Sequence, residues 1–146
     1  MRIVLQRVTQ ASVTVNGVIA GQIGNGLLAL VAVTDADTEE TAVKYAEKVS
    51  KMRIFADANG KTNLSAIDLN YSILVISQFT LYADTHKGNR PSFINAGAPE
   101  HANAICEAFI AACRKRFTKT ETGIFGAYMS VSLVNDGPFT IIVDSD

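Results

Sequence analysis

Two unbroken apolar runs, separated by one amphipathic segment, constrain the fold of this chain more than any other feature. Residues 27–33 read LLALVAV, and residues 72–76 read SILVI. Apolar runs of this length are typical of strands that are covered on both faces. Between them, residues 35–52 carry apolar side chains at helical spacing, with acidic residues near the start of the predicted helix. A strand–helix–strand passage of this kind indicates an α/β fold.

Further strands and a second helix complete the predicted architecture. Asn16-Gly17 separates two strand-like runs, and this dipeptide is the strongest short signal for a hairpin turn. The remaining predicted elements are strands at 3–8, 12–15, 18–23, 52–55, 128–134 and 138–144, and a helix at about 99–117. We therefore expect a single α/β domain, residues 1–146, with mixed β-sheets and two main helices.

The composition excludes several classes of protein. The 146 residues carry a formal net charge of −1, so no global basic field favours a nucleic-acid partner, although a local patch can still serve a small footprint. The first ten residues, MRIVLQRVTQ, lack the apolar core and cleavage site of a signal peptide, and no apolar run approaches the roughly 20 residues that cross a bilayer. The spacing of Cys106 and Cys113 indicates two buried thiols in one helix. We expect a cytoplasmic protein without membrane contact.

The segment SQFTL, at residues 77–81, follows the buried run and brings polar groups to the end of a strand. As a strand it would place Ser77 and Phe79 on one face, and Gln78 and Thr80 on the other. Polar residues in this position, before a loop, are typical of sites in α/β proteins, although a strand fraying into solvent explains them too. Thr80 has the hydroxyl of a nucleophile, but no partner base is visible.

Other catalytic signals are weak. The two histidines, His86 and His101, have no neighbouring Ser or Asp at a spacing that indicates a triad. No Cys/His grouping or HExxH motif indicates a metal site, and we predict no cofactor.

Asn135-Asp136-Gly137-Pro138 interrupts the last strand-like stretch. These residues favour turns, so a hairpin between two final strands is the simpler interpretation. The alternative is a functional element, because proline permits a cis peptide bond. A cis Gly-Pro would direct two carbonyl oxygens in an unusual way, and paired acceptors suit an ammonium group.

Four segments together resemble one protein family over nearly the whole chain. They are LQRVTQASVTV at 5–15, SQFTL at 77–81, GNRPSF at 88–93 and SLVNDGPFT at 132–140. On these residues the chain resembles the bacterial and eukaryotic D-aminoacyl-tRNA deacylases. The resemblance implies a homodimer with active sites at the subunit interface. It implies hydrolysis of the ester that joins a D-amino acid, or glycine, to the terminal adenosine of tRNA.

The resemblance also implies roles for individual residues. Gly137 and Pro138 would form a cis pair that enters the partner's pocket and binds the substrate's α-amino group. Arg7 would lock that pair, and Ser77, Gln78, Phe79 and Thr80 would form the wall that faces the ester. The partners implied are the 3′ end and acceptor stem of aminoacyl-tRNA, with no metal and no cofactor.

These roles fit a reaction without a triad, because the 2′-hydroxyl of the substrate's ribose can activate or orient water. Backbone N–H groups of the 77–81 segment would then stabilise the oxyanion. An L side chain would strike the Gly-Pro backbone, whereas a D side chain would point to solvent and glycine would pass. Two alternatives remain open: a non-catalytic module that binds an RNA end or a metabolite, and a hydrolase of small acyl esters that uses Thr80.

Overall fold

The computed structural model describes residues 1–145 as a mixed β-sheet with two α-helices. Residue 146, which the predicted domain includes, lies outside the described residues. The strands are β1 (Arg2–Val15), β2 (Val18–Ile23), β3 (Gly26–Ala32), β4 (Phe55–Ala56), β5 (Thr62–Leu64), β6 (Ser72–Ser77), β7 (Thr120–Thr122) and β8 (Ser130–Asp144). The helices are α1 (Glu39–Lys51) and α2 (Pro99–Arg114), and a short 3-10 helix spans Phe79–Tyr82. The α/β class with a mixed sheet and two main helices is confirmed.

The main sheet has the strand order β2-β1-β3-β6-β7, with β8 paired to β1. The two apolar runs of the sequence are the central parallel neighbours β3 and β6, in register from Gly26↔Ser72 to Val31↔Ser77. One face of the sheet packs on α1 and α2 around Phe109 and Val49. A second apolar cluster, on Val13, Leu28 and Ile76 among others, is separate from the first. Burial on both faces explains why these strands are apolar throughout.

The two longest strands are each continuous where the sequence predicted a break. The expected strands at 3–8 and 12–15 form the single strand β1, because Gln10 and Ala11 stay paired with Val134 and Leu133 of β8. The expected strands at 128–134 and 138–144 likewise form β8, and both halves run antiparallel to β1. The hairpin interpretation of residues 135–138 is therefore wrong.

Local capping fixes the start of α1. The helix was expected from residue 35 but begins at Glu39, because Thr38 caps it. Thr38 Oγ1 accepts from the N–H of Thr41, and the hydroxyl of Thr41 accepts from the N–H of Thr38, both at 3.2 Å. Neither α-helix in the described part of the chain is long and apolar enough to cross a membrane.

The sequence did not predict the short strands β5 and β7, and it predicted β4 with the wrong bounds. β7 reads TET and pairs in parallel with β6, but three residues without apolar alternation are too few to predict a strand. Of the strand expected at 52–55, only Phe55 joins a ladder, as part of β4, which pairs with β5 in a separate two-stranded sheet. Short pairings of this kind depend on tertiary contacts, so local sequence does not specify them.

The α-ammonium group of Met1 is buried and bonded at 2.5 Å to both Asp37 Oδ1 and Ser145 Oγ. The second carboxylate oxygen of Asp37 accepts from the backbone N–H of Thr34 at 2.8 Å. Burial acts to raise the pKa of Asp37, but the bonds from the α-ammonium and from Thr34 outweigh it and lower that pKa below its ordinary value. Asp37 therefore stays ionised and ties the start of β1 to the loop before α1.

Replacing Asp37 with asparagine is expected to lower the free energy of unfolding at pH 7 by roughly 3 kcal/mol, as when one partner of a buried ion pair is removed. The folded pKa of Asp37 lies below its unfolded value of 3.8. The wild-type advantage is therefore complete above the unfolded pKa and disappears as the pH falls through the folded pKa. Urea unfolding from pH 7 down to about pH 2 measures this. Glu107→Gln, which removes an exposed carboxylate, is the control. A deficit independent of pH would contradict the assignment.

Candidate active site

Strand β6 ends at Ser77, and the chain then turns into the 3-10 helix Phe79–Tyr82. Gln78 makes the last bond to the sheet, from its backbone N–H to Val31 O at 2.8 Å. The N–H of Leu81 then bonds to the carbonyl of Gln78 at 3.2 Å. The predicted period-two alternation of this segment is therefore wrong, because local carbonyls replace the neighbouring strand as acceptors.

The turn exposes two of the predicted site residues. Phe79 is 56% exposed, and its ring packs edge-on against Phe93 with centroids 5.1 Å apart. The hydroxyl oxygen of Thr80 accepts a hydrogen bond of 2.5 Å from the side-chain amide of Gln78. A carboxamide takes up no proton near neutral pH, so this contact does not activate Thr80 as a nucleophile.

A cleft of about 650 Å³ opens beside this turn. Three regions form its walls: the ends of β3 and β6, the first turns of α2 with the loop that leads into it, and the segment that leads into β8. The predicted residues Ser77, Gln78 and Phe79 line one side. Aromatic residues from the other regions also line it, namely Phe93 and Phe125, which are just over a third exposed, and Tyr128, which is almost fully exposed. A largely apolar cleft lined by flat rings suits a planar group such as a nucleobase or an aromatic side chain.

A close backbone approach holds the loop before α2 against the sheet. The N–H of Gly97 bonds to Val33 O at 2.8 Å. A Cβ on residue 97 would lie 3.0 Å from the carbonyl carbon of Thr34, so only glycine fits without displacement. Beside it, the N–H of Ala98 bonds to Asp35 Oδ1 at 2.8 Å. This wall of the cleft is therefore fixed to the sheet.

The second predicted motif forms a bulge in β8. Two steps along β1, from Gln6 to Val8, face five steps along β8, from Thr140 back to Asn135. The extra residues leave the ladder as a protruding loop. Its tip, Gly137-Pro138, is exposed, and the peptide bond between these residues is cis, as predicted.

Arg7 holds the base of this loop. Its Nε donates to the backbone carbonyl of Asp136 at 3.0 Å, and its Nη1 donates to Ile54 O at 2.7 Å. The guanidinium also lies 4.7 Å from the ring centroid of Phe139 and 3.4 Å from the carboxylate of Asp136. The expected contact between the Arg7 guanidinium and a backbone carbonyl of the loop is thus present.

The conformation of the loop requires glycine at position 137. Gly137 has φ +137°, a region that L side chains rarely adopt. A Cβ there would also lie 3.0 Å from the backbone nitrogen of Phe139 and 3.1 Å from Nη2 of Arg7. The loop's own geometry therefore excludes a side chain at this position, whatever binds to it.

The two motifs do not meet within one chain. Ser77 stands in register with Val31 and, across the sheet, with Ile3, whereas the loop lies beside Arg7. Four residues along β1 separate these positions by roughly 13 Å, and the three strand spacings from β6 to β8 add roughly 14 Å across the sheet. The 77–80 segment and the Gly137-Pro138 loop therefore lie far apart within one chain.

The ionisable groups near the cleft are not poised as nucleophiles. Cys106 lines the cleft, and burial raises the pKa of its thiol to about 11. Cys113, further along the same helix, has a pKa raised by burial to about 12. The prediction of two buried thiols is confirmed. Residues 1–145 contain no group of three or more His, Cys, Asp or Glu side chains placed to hold a metal ion.

Sequence reasoning assigned no role to two residues that shape the site. Phe93 contacts Phe79 at the cleft, and Asn135 bonds across the base of the loop. Both belong to segments that carry the family resemblance, GNRPSF and SLVNDGPFT. Phe79 precedes Phe93 by 14 residues, and Arg7 lies 128 residues from Asn135, so the local pattern alone did not predict these two contacts.

Comparisons with known proteins agree with this architecture. The family model for D-Tyr-tRNA(Tyr) deacylase matches residues 4–144. The chain is 54% identical to the D-aminoacyl-tRNA deacylase of Chloroflexus aurantiacus over 99% of this chain and 91% of the relative. It is 52% identical to that of Bacillus velezensis, covering 99% of both chains.

Solved structures give the same result. A structure titled c-Myc DNA unwinding element binding protein superposes with TM-score 0.93 at 40% identity, covering 100% of this chain and 99% of the other. A probable eukaryotic D-amino acid tRNA deacylase superposes with TM-score 0.87 at 18% identity, over 99% and 98% of the two chains, and this likeness shows the fold alone. The match of the family model and the identity to curated relatives show that this chain belongs to the D-Tyr-tRNA(Tyr) deacylase family.

Proposed function

We propose that the chain removes D-amino acids, and glycine carried by the wrong tRNA, by hydrolysing their ester with the terminal adenosine of tRNA. D-aminoacyl-tRNA deacylase activity follows from membership of the family. The finer proposal, a site shared between two copies of the chain, depends mainly on one observation. The 77–80 segment lines a cleft and the Gly137-Pro138 loop protrudes, yet the register keeps them far apart in one protomer.

The cleft is the proposed site of the terminal adenosine and the ester. Its aromatic lining suits a nucleobase, and Phe79 stands beside the backbone of Ser77 and Gln78. The first N–H groups of a 3-10 helix have no acceptor within the helix, so those of the turn are available to a developing oxyanion. In this arrangement Gln78 and Thr80 orient each other and the turn, and neither attacks the ester.

The Gly137-Pro138 loop of a second copy is the proposed chirality filter. Its exposed carbonyls would accept hydrogen bonds from the substrate's α-ammonium group. With the ammonium and the ester both fixed, the side chain and the hydrogen on Cα take the two remaining directions. An L side chain would then meet the loop backbone, and a D side chain would point to solvent. Glycine, which has no side chain, would be accepted.

The substrate itself is proposed to supply the group that activates water. The contact of Thr80 with a carboxamide provides no general base, and the thiol of Cys106 stays protonated. The ribose 2′-hydroxyl lies next to the ester on the same sugar, within reach of the attacking water. The protein would then contribute orientation and oxyanion stabilisation, which are sufficient for large rate effects.

Contact with the acceptor stem is proposed to be small. The net charge of −1 provides little long-range attraction for RNA. The exposed residues Lys87 and Arg90 lie in the loop between Phe79 and Phe93, and they are the nearest candidates in sequence for phosphate contacts. A protein that reads mainly the end of tRNA needs only a few such contacts.

The proposed function is tested by comparing matched substrates. Purified protein should hydrolyse D-tyrosyl-tRNA at least about a hundredfold faster than L-tyrosyl-tRNA of the same tRNA, since an L side chain would clash with the loop backbone. Glycyl-tRNA should also react. Release of labelled amino acid measures all three rates. Binding of the tRNA end without hydrolysis would indicate the non-catalytic alternative, and equal cleavage of small acyl esters would indicate the nonspecific hydrolase.

A further inference from the structure

The side chain of Asn135 uses both of its N–H donors and its amide oxygen at the base of the Gly137-Pro138 loop. Its amide nitrogen donates to the carbonyl of Arg7 at 2.8 Å and to the carbonyl of Phe139 at 2.9 Å. Its Oδ1 accepts from the N–H of Phe139 at 3.2 Å. One side chain thus joins β1 to the end of the loop and closes the loop on itself.

These bonds of Asn135 replace backbone hydrogen bonds between β1 and β8 that the bulge removes. Gln6 and Val8 have partners in β8, but Arg7, between them, has none in that strand. A carbonyl left without a ladder partner needs another donor, and Asn135 supplies it. The guanidinium of the same Arg7 donates to the carbonyl of Asp136, the residue that follows Asn135.

We propose that Asn135 is a positioning residue for chiral selection: it fixes the direction in which Gly137 and Pro138 present their carbonyls. This inference rests on the proposed function of the loop. Its chemistry is specific to asparagine. Two donors and one acceptor are required on a side chain of this length, and aspartate would put a carboxylate against the carbonyls of Arg7 and Phe139.

Asn135→Asp tests the proposal, because it changes charge and donors but almost no volume. At pH 8 its kcat/KM for D-tyrosyl-tRNA should fall roughly ten- to hundredfold, the cost of burying acceptors without donors. The two facing carbonyls, the neighbouring carboxylate of Asp136 and partial burial should raise the pKa of the introduced carboxyl, against the opposing effect of the Arg7 guanidinium, which is already paired with Asp136. Its neutral form has one O–H and restores one of the two lost donors, so the rate relative to wild type should recover in part as the pH is lowered towards about 5. A purely structural defect would give no such recovery.

Two controls make the result specific. Asn103→Asp adds the same charge on the exposed face of α2 and should keep the wild-type rate at both pH values. If Asn135→Asp loses its cooperative unfolding transition, Asn135→Ser is measured instead, and its ratio of D- to L-tyrosyl-tRNA hydrolysis should drop at least about tenfold. A wild-type rate and D-to-L ratio in the folded variant overturn the proposal, as does a loss that pH leaves unchanged.

Arg7→Ala separates this inference from the function on which it rests. If Arg7→Ala lowers the D-to-L ratio while Asn135→Asp matches wild type, only the role of Asn135 is rejected. If both variants match wild type, the loop takes no part in selection, and the proposed chirality filter is rejected with it.

Discussion

Mixing two inactive variants is expected to restore about a quarter of the wild-type rate of D-tyrosyl-tRNA hydrolysis. One variant, Phe79→Glu, places a carboxylate at the cleft where anionic RNA must enter. The other, Gly137→Ala, forces a side chain into a loop whose φ of +137° excludes it. If each site takes its cleft from one copy and its loop from the other, a mixed dimer contains one intact site and one doubly altered site. Half of the randomly assembled dimers are mixed, which gives the expected fraction.

The mixing experiment includes its own controls. Each variant alone should be folded but inactive. Light scattering should give each one a mass twice that of a single 15.6 kDa chain. Native mass spectrometry of a tagged and an untagged variant, refolded together, verifies that mixed dimers form. Mixed dimers without activity would refute the shared site, and so would a fully active monomer.

A substrate that ends in 2′-deoxyadenosine is expected to react at least about a hundredfold more slowly than the ribose form, the lower range for losing a general acid–base group. The reason is that residues near the ester, Thr80 and Cys106 included, offer no activated base. Thr80→Ala should, by contrast, retain most of the wild-type turnover. Single-turnover release of D-tyrosine measures both effects.

The control for the deoxy substrate is its affinity. Competition by the uncharged deoxy tRNA should match that of ordinary tRNA, so that the loss is assigned to chemistry and not to binding. Mass-spectrometric detection of an acyl group on Thr80 would contradict the expected mechanism, and so would normal hydrolysis of the deoxy substrate.

The sequence predicted the parts of this fold that depend on local patterns. The apolar runs at 27–33 and 72–76 became the buried strands β3 and β6. Asn16 and Gly17 form the expected turn, with φ of +50° and +77°. Periodicity, burial and turn chemistry are encoded within a few residues, so a single sequence is enough to identify them.

The features that the sequence did not predict depend on residues far apart in the chain. The bulge in β8 needs the contact between Arg7 and Asn135, which are separated by 128 residues. Without this contact, the sequence of residues 135–138 favours a hairpin turn. The turn at Phe79 forms where the neighbouring strand β3 ends and Gln78 makes the last ladder bond, to Val31. Neither the end of a neighbouring strand nor a distant side chain can be read from the local pattern.

Burial of the cleft thiol has a consequence under oxidative stress. Burial raises the pKa of the Cys106 thiol to about 11, so its thiolate is much scarcer at pH 7 than that of an ordinary cysteine. Peroxide attacks the thiolate, so the residue lining the cleft should resist conversion to sulfenic acid. Oxidation of Cys106 should therefore not be the route by which peroxide inactivates this enzyme.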